Sequence, residues 1–152
     1  MSIYQLVYYS RNTISQTSMT ALNALRSIIK VSQANNARDA ITGYLIMDNK
    51  CFLQILEGDK LAIFKTFRRI EADPRPTDVV VVGSRDVSMR SFENWTMAGA
   101  LRTTDQDEIF IKYGIGREIV PARLNAKIIV ALAQELQASY VSMRHAASAY
   151  LA

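Results

Sequence analysis

The stretch Ile41 to Gly58 reads ITGYLIMDNKCFLQILEG. Two apolar runs of strand length flank Asp48-Asn49-Lys50, a polar turn of hairpin length, so the segment is predicted to be a β-hairpin. Successive strand side chains point to opposite faces, which puts Phe52, Gln54 and Leu56 together. Gln54 is then an amide among apolar neighbours. Burying its donors and acceptors unpaired costs roughly 1–3 kcal/mol, so it needs partners, either from the protein or from a ligand.

Upstream of the hairpin, Ile3 to Ser10 is rich in Tyr, Val and Leu and reads as a first strand, with Leu6 and Tyr8 on one face and Val7 and Tyr9 on the other. Thr17 or Ser18 can cap a helix running to about Ala34, with Leu22, Leu25, Ile28 and Ile29 as its apolar stripe. Stepping by fours from Ile28 reaches Ser32 and Asn36, so the stripe turns polar at its end. Asn35 and Asn36 suit a helix exit.

Downstream, Asp59 caps a second helix over Lys60 to about Ala72, with Leu61, Ile63, Phe64, Phe67 and Ile70 on its apolar side and Lys65, Arg68, Arg69 and Glu71 on its wet side. Asp73-Pro74-Arg75-Pro76 stops it. Val79 to Gly83 is a continuous apolar run and is predicted to be an interior strand. Trp95 to Leu101 reads as a fifth strand with Trp95 and Met97 on one face. Two helices follow, from about Thr104 to Tyr113 and from Pro121 to about His145.

The order strand, helix, strand, strand, helix, strand is that of an α+β, ferredoxin-like sheet with two helices on one face, here extended by a further strand and two C-terminal helices. Right-handed crossovers leave a gap between strands one and two that strand three fills. Tyr8 and Gln54 then face one another from adjacent central strands, and a cavity between the first two helices lies above them, lined by Asn36. The other sheet face is left bare of these helices. The stripe Leu124, Ile128, Leu132 and Leu136 either packs on that face or serves self-association.

Bulk properties narrow the function classes. The chain has 152 residues, nearly half of them apolar, and a net charge of +4. That is enough for one domain with a real core, and the charge tolerates a phosphate-bearing ligand without requiring one. No apolar run reaches the roughly 18 residues that span a bilayer, and no secretory signal is apparent, so a cytoplasmic protein without membrane partners is expected. Cys51 is the only cysteine and His145 the only histidine. Disulfides, zinc clusters and a Ser-His-Asp triad are thereby disfavoured. Cys51 reads as a small buried hydrophobe.

A set of short motifs occurs in order: Tyr8-x-Ser10-Arg11, Asn35-Asn36, Ile41-Thr42-Gly43, Phe52-Leu53-Gln54-x-Leu56-Glu57-Gly58, Asp73-Pro74-Arg75 and Phe92-x-x-Trp95-x-Met97. Together they resemble the BLUF domain, a blue-light sensor that uses flavin adenine dinucleotide (FAD). The resemblance covers about residues 1–101, and residues 102–152 are similar to the two-helix extension of short stand-alone members. It implies a photoreceptor and not an enzyme. Tyr8 would be the electron and proton donor, and Gln54 would bridge Tyr8 and the N5/C4=O edge of the flavin. Asn36 would bind the pyrimidine edge, with Asn35 beside it and Ser32 nearby. Arg75 would lie near the ribityl-phosphate, although Arg75-Pro76 stands where many members have Arg-His. Trp95 and Met97 would carry the signal outward.

Output would then pass to a separate effector, for which the family offers a cyclic-dinucleotide phosphodiesterase, a response-regulator-like protein or a transcriptional regulator, together with homo-oligomers of several sizes. The rival readings are a ferredoxin-like nucleic-acid binder and a small hydrolase. The first wants exposed aromatics on its central strands, where this chain has the apolar and acidic CFLQILEG. The second wants clustered acid–base groups, and the carboxylates here are scattered.

Overall fold

A computed structural model describes residues 3–12, 18–72, 76–93, 97–102 and 106–151. The hairpin forms as expected from Thr42–Met47 (β2) and Cys51–Gly58 (β3). Its turn is held by Asp48, whose Oδ1 accepts from the backbone N–H groups of Lys50 (2.8 Å) and Cys51 (2.7 Å). Such local carboxylate-to-backbone bonds are what make Asp a turn residue. Ile3–Asn12 (β1) pairs antiparallel with β3, and Tyr8 lies directly opposite Gln54.

The remaining strands are Pro76–Val87 (β4) and Ala98–Leu101 (β5), and the sheet order is β4-β1-β3-β2-β5. The architecture is α+β and ferredoxin-like, with β1 and β3 as central neighbours. β4 is not interior, as its apolar run suggested, but an edge strand. Val80 and Val81 are 42% and 47% exposed. Val79 and Val82 each lean on a different core, which explains an unbroken apolar run on a strand with one neighbour. β5 is shorter than expected and pairs parallel to β2. Met97 stands just before it, and Trp95 lies outside the described residues.

Two helices cover one sheet face: Ser18–Asp39 (α1) and Lys60–Ala72 (α2). α1 outruns its expected end at Ala34. It closes at Ala40, whose φ of +54° is left-handed, and the Ile41 N–H donates to the Asn36 carbonyl at 2.9 Å. This is a Schellman-type closure, in which the exit is built by Ala40 and not by the asparagines. On α2, Ile63 and Thr66 are the buried positions, while Leu61 and Phe64 of the expected stripe are exposed. Phe64 instead meets Tyr4 edge-on, with ring centroids 5.5 Å apart.

The other face is not bare. A second apolar core fills it, built from Val7, Leu53 and Ile55 of the sheet, Phe110 of the short helix Asp107–Lys112 (α3), and Ile129, Leu132, Ala133 and Leu136 of Ala126–Leu151 (α4). Leu132 and Leu136 of the expected stripe are fully buried. Burial of each such side chain is worth about 1.5–3 kcal/mol. Pro121 opens a 3₁₀ turn, Pro121–Arg123, and not α4 itself; Asn125 Oδ1 accepts from the Ile128 N–H at the start of α4. Cover on both faces explains why every residue of β2 and β3 is buried.

Candidate functional site

Between α1 and α2, above β1 and β3, lies a cavity of about 220 Å³. Its floor is the pair Tyr8 and Gln54. Strand alternation aims both into the cavity, and the β1–β3 register sets them opposite one another. Tyr8 Oη donates a hydrogen bond to Gln54 Oε1. Tyr8 is 1% exposed, and burial raises its phenol well above the usual tyrosine value, so it is a neutral donor. Phe67 of α2 holds the ring edge-on, with centroids 5.3 Å apart. With its oxygen occupied by Tyr8, Gln54 directs Nε2 toward the Met97 sulfur at 3.8 Å.

The walls divide by chemistry. Ile28, Leu45, Phe52 and Ile70 supply apolar surface, while Ser32, Asn35 and Asn36 line the cavity from α1. The extra turn of α1 keeps Asn36 helical and turned inward, 1% exposed. The structure thus brings together Tyr8, Ser32, Asn35, Asn36 and Gln54 from the sequence-based set. Met97 touches Gln54, and its carbonyl accepts from Gln33 Nε2 at 2.9 Å, tying it to α1. Arg75 and Trp95 lie outside the described residues.

Three polar lining residues were missed by sequence reasoning. Ser10 follows Tyr8 by two and so shares its face; its motif was visible, but its role was not. Its Oγ is buried and has no hydrogen-bond partner among the described residues. Thr66 and Arg69 come from α2. Arg69 reads as a wet-side residue by periodicity, yet it reaches the cavity while its guanidinium donates to Thr66 Oγ1 and Asp39 Oδ2, both at 3.1 Å.

These walls suit a flat heteroaromatic ring with a hydrogen-bonding edge. Apolar side chains can pack against its faces, amides and hydroxyls can match its edge, and an arginine stands near. The orphaned Ser10 hydroxyl is a polar group awaiting a partner, since buried polar atoms are nearly always bonded. The donor set therefore fits a flavin.

Fold and site together define a ferredoxin-like domain with a cavity floored by a tyrosine–glutamine pair. The family model described as sensors of blue light using FAD, BLUF, matches residues 3–98. The chain belongs to the BLUF family, and FAD is the cofactor of that family. It is 38% identical over 77 residues to the photoactivated adenylate cyclase subunit beta of Euglena gracilis, a match covering 50% of this chain. The match spans only 9% of that relative's length. Among solved structures it is similar to BlsA in its photo-activated state, with a TM-score of 0.72 and 25% identity over 88% of this chain and 94% of that one. The dark state of the BLUF protein BlrB shares the fold, with a TM-score of 0.73 and 24% identity over 91% of this chain and 97% of that one. Among the described residues, no helix is long and apolar enough to cross a membrane.

Proposed function

We propose that this chain senses blue light by a rearrangement of the hydrogen bonds that Tyr8 and Gln54 share with bound FAD, and passes the signal to a separate effector. The observation that carries this reading is the Tyr8 Oη to Gln54 Oε1 bond at the floor of the cavity. Asn36, Asn35 and Ser32 hold the edge of the ring, and Ser10 Oγ gains the partner it lacks. Arg69 is the cation beside the cavity and serves the phosphate side, alone or with Arg75.

When bound and excited, the flavin supplies a strong one-electron oxidant. Tyr8, which lines the cavity, is the electron donor, and losing an electron makes its phenol strongly acidic. The proton on Oη moves along the existing bond toward Gln54 Oε1. On its return, the Gln54 amide settles rotated or tautomerised, so that its donor and acceptor ends face new partners. With the electron and a proton returned to it, Tyr8 ends as a neutral phenol, and the protein gains or loses no atoms or electrons overall. One hydrogen bond is worth about 0.5–1.5 kcal/mol net, so the switch acts on an element already close to balance. That element is Met97, the residue before β5, and Gln54 touches it directly.

Residues 1–101 act as the flavin-binding unit and 102–152 as a helical extension seated on the opposite face. The effector is of the class named for short BLUF proteins, a cyclic-dinucleotide phosphodiesterase, a response-regulator-like protein or a transcriptional regulator. The deciding experiment is the absorption spectrum before and after blue light, for the wild type, Tyr8→Phe and Gln54→Ala. A small reversible red shift, present in the wild type and lost in both variants, is expected. A flavin spectrum that only bleaches, or a chain that takes up no flavin on reconstitution, overturns the reading.

A further inference from the structure

On the face of β3 opposite Gln54 lies a carboxylate that the photochemistry does not use. Glu57 is fully buried in the central strand. Its two oxygens accept from the Ser91 N–H at 2.9 and 3.0 Å, from the Phe92 N–H at 2.9 Å and from Gln5 Nε2 at 3.0 Å. Two successive backbone N–H groups on one carboxylate form an anion clasp, and charge-assisted bonds of this kind are roughly twice as strong as neutral ones. Arg90 adds a second tie. Its guanidinium donates to the carbonyls of Ala40 (2.7 Å) and Glu57 (2.9 Å) and to Thr42 Oγ1 (2.9 Å).

The clasped segment also packs on the strand that β5 pairs with. Phe92 is fully buried, its ring 5.6 Å from that of Tyr44. Tyr44 in turn pairs with Ala98, the residue after Met97. Met97 is therefore tied to the clasp through the strands: Glu57 grips Phe92, Phe92 packs on Tyr44 of β2, and Tyr44 pairs with the first residue of β5. A thioether is a weak acceptor, so the Gln54 Nε2 to Met97 Sδ contact at 3.8 Å is sensitive to where Met97 stands.

We propose that Glu57 is a positioning residue for the photochemical pair: by fixing the 90–92 segment it sets where the Met97 sulfur meets the Gln54 amide, and so the lifetime of the lit state. The lifetime part rests on the function proposed above; the positioning part does not.

The test labels the methionine methyl groups with ¹³C in the flavin-loaded protein, with Met97→Ala identifying the Met97 signal. In Glu57→Gln an amide nitrogen faces N–H donors. The Met97 signal in the dark is expected to move or broaden while that of Met47 in β2 stays. Recovery from the lit state changes about threefold or more, the size expected for one altered hydrogen bond. Ser91→Pro removes one of the two loop N–H donors to Glu57 without changing the strand, shifts the Met97 signal in the same way, and serves if Glu57→Gln does not fold. In a Met97→Ala background, Glu57→Gln no longer changes the recovery rate, because the two residues act through one contact. A Met97 signal unmoved in both variants, or a rate change that survives in the Met97→Ala background, overturns the proposal. A wild type without a reversible red shift sinks the photochemical reading instead, and the dark Met97 signal still decides the positioning.

Discussion

Tyr8 and Gln54 are Cα partners across β1 and β3, and their side chains meet in a hydrogen bond with the phenol as donor. Removing the hydroxyl leaves the Gln54 oxygen without that donor. Tyr8→Phe is expected to fold and bind flavin, at a cost of about 1–3 kcal/mol for the unpaired acceptor. It loses the reversible red shift, which difference spectra under blue light would show; a wild-type-sized shift in this variant would remove Tyr8 from the photochemistry.

Gln54→Leu keeps the volume but removes both ends of the amide, and with them the link to Met97. The red shift is expected to vanish while the flavin remains bound. Because the Tyr8 phenol then also lacks its acceptor, the double variant with Tyr8→Phe should be less destabilised than the sum of the two singles, as a double-mutant cycle in urea would measure.

Asn36 is buried in the last turn of α1 and lines the cavity. Asn36→Ala is expected to weaken flavin binding by about tenfold, equivalent to ~1.4 kcal/mol and to the loss of one good hydrogen bond. Flavin fluorescence titration reads this directly, and unchanged affinity would place the ring elsewhere.

Asp48 binds the hairpin turn to a distant part of the chain. Its Oδ2 accepts from the Ile119 N–H at 2.7 Å, while Oδ1 holds Lys50 and Cys51. Asp48→Ala leaves these donors unsatisfied and is expected to lower stability by about 2 kcal/mol or more. The urea midpoint gives the size, and limited proteolysis should show earlier cleavage near residues 116–120.

Burial raises the Tyr8 phenol well above its ordinary value, and burial together with the Asp48 charge pushes the Cys51 thiol from 9.0 up to about 12. The folded protein thus keeps protons that the unfolded chain gives up. This contribution is fully present below the unfolded values and is lost as pH rises from about 9 toward the folded ones. Urea midpoints should fall between neutral and strongly alkaline pH. Cys51 should resist alkylation until the protein unfolds, since the thiolate is the reactive form.

The strand alternation in CFLQILEG and in the Tyr8 segment, with right-handed crossovers, was enough to set Tyr8 opposite Gln54 and to order the central strands. These are local periodicities, and a chain carries them in its own residues. Other features depend on partners far away in sequence. The depth of Asn36 depends on how far α1 runs before Ala40 turns it. β4 lies at an edge because, among the described residues, its one strand neighbour is β1, a pairing that forms only on folding. Arg69 reaches the cavity although its helical position reads as solvent, because Asp39 and Thr66 draw its guanidinium there. Glu57 looks like one more charge at a strand end until Ser91 and Phe92 close on it. A buried charge is tolerated only where donors converge, and that convergence arises when the chain has folded.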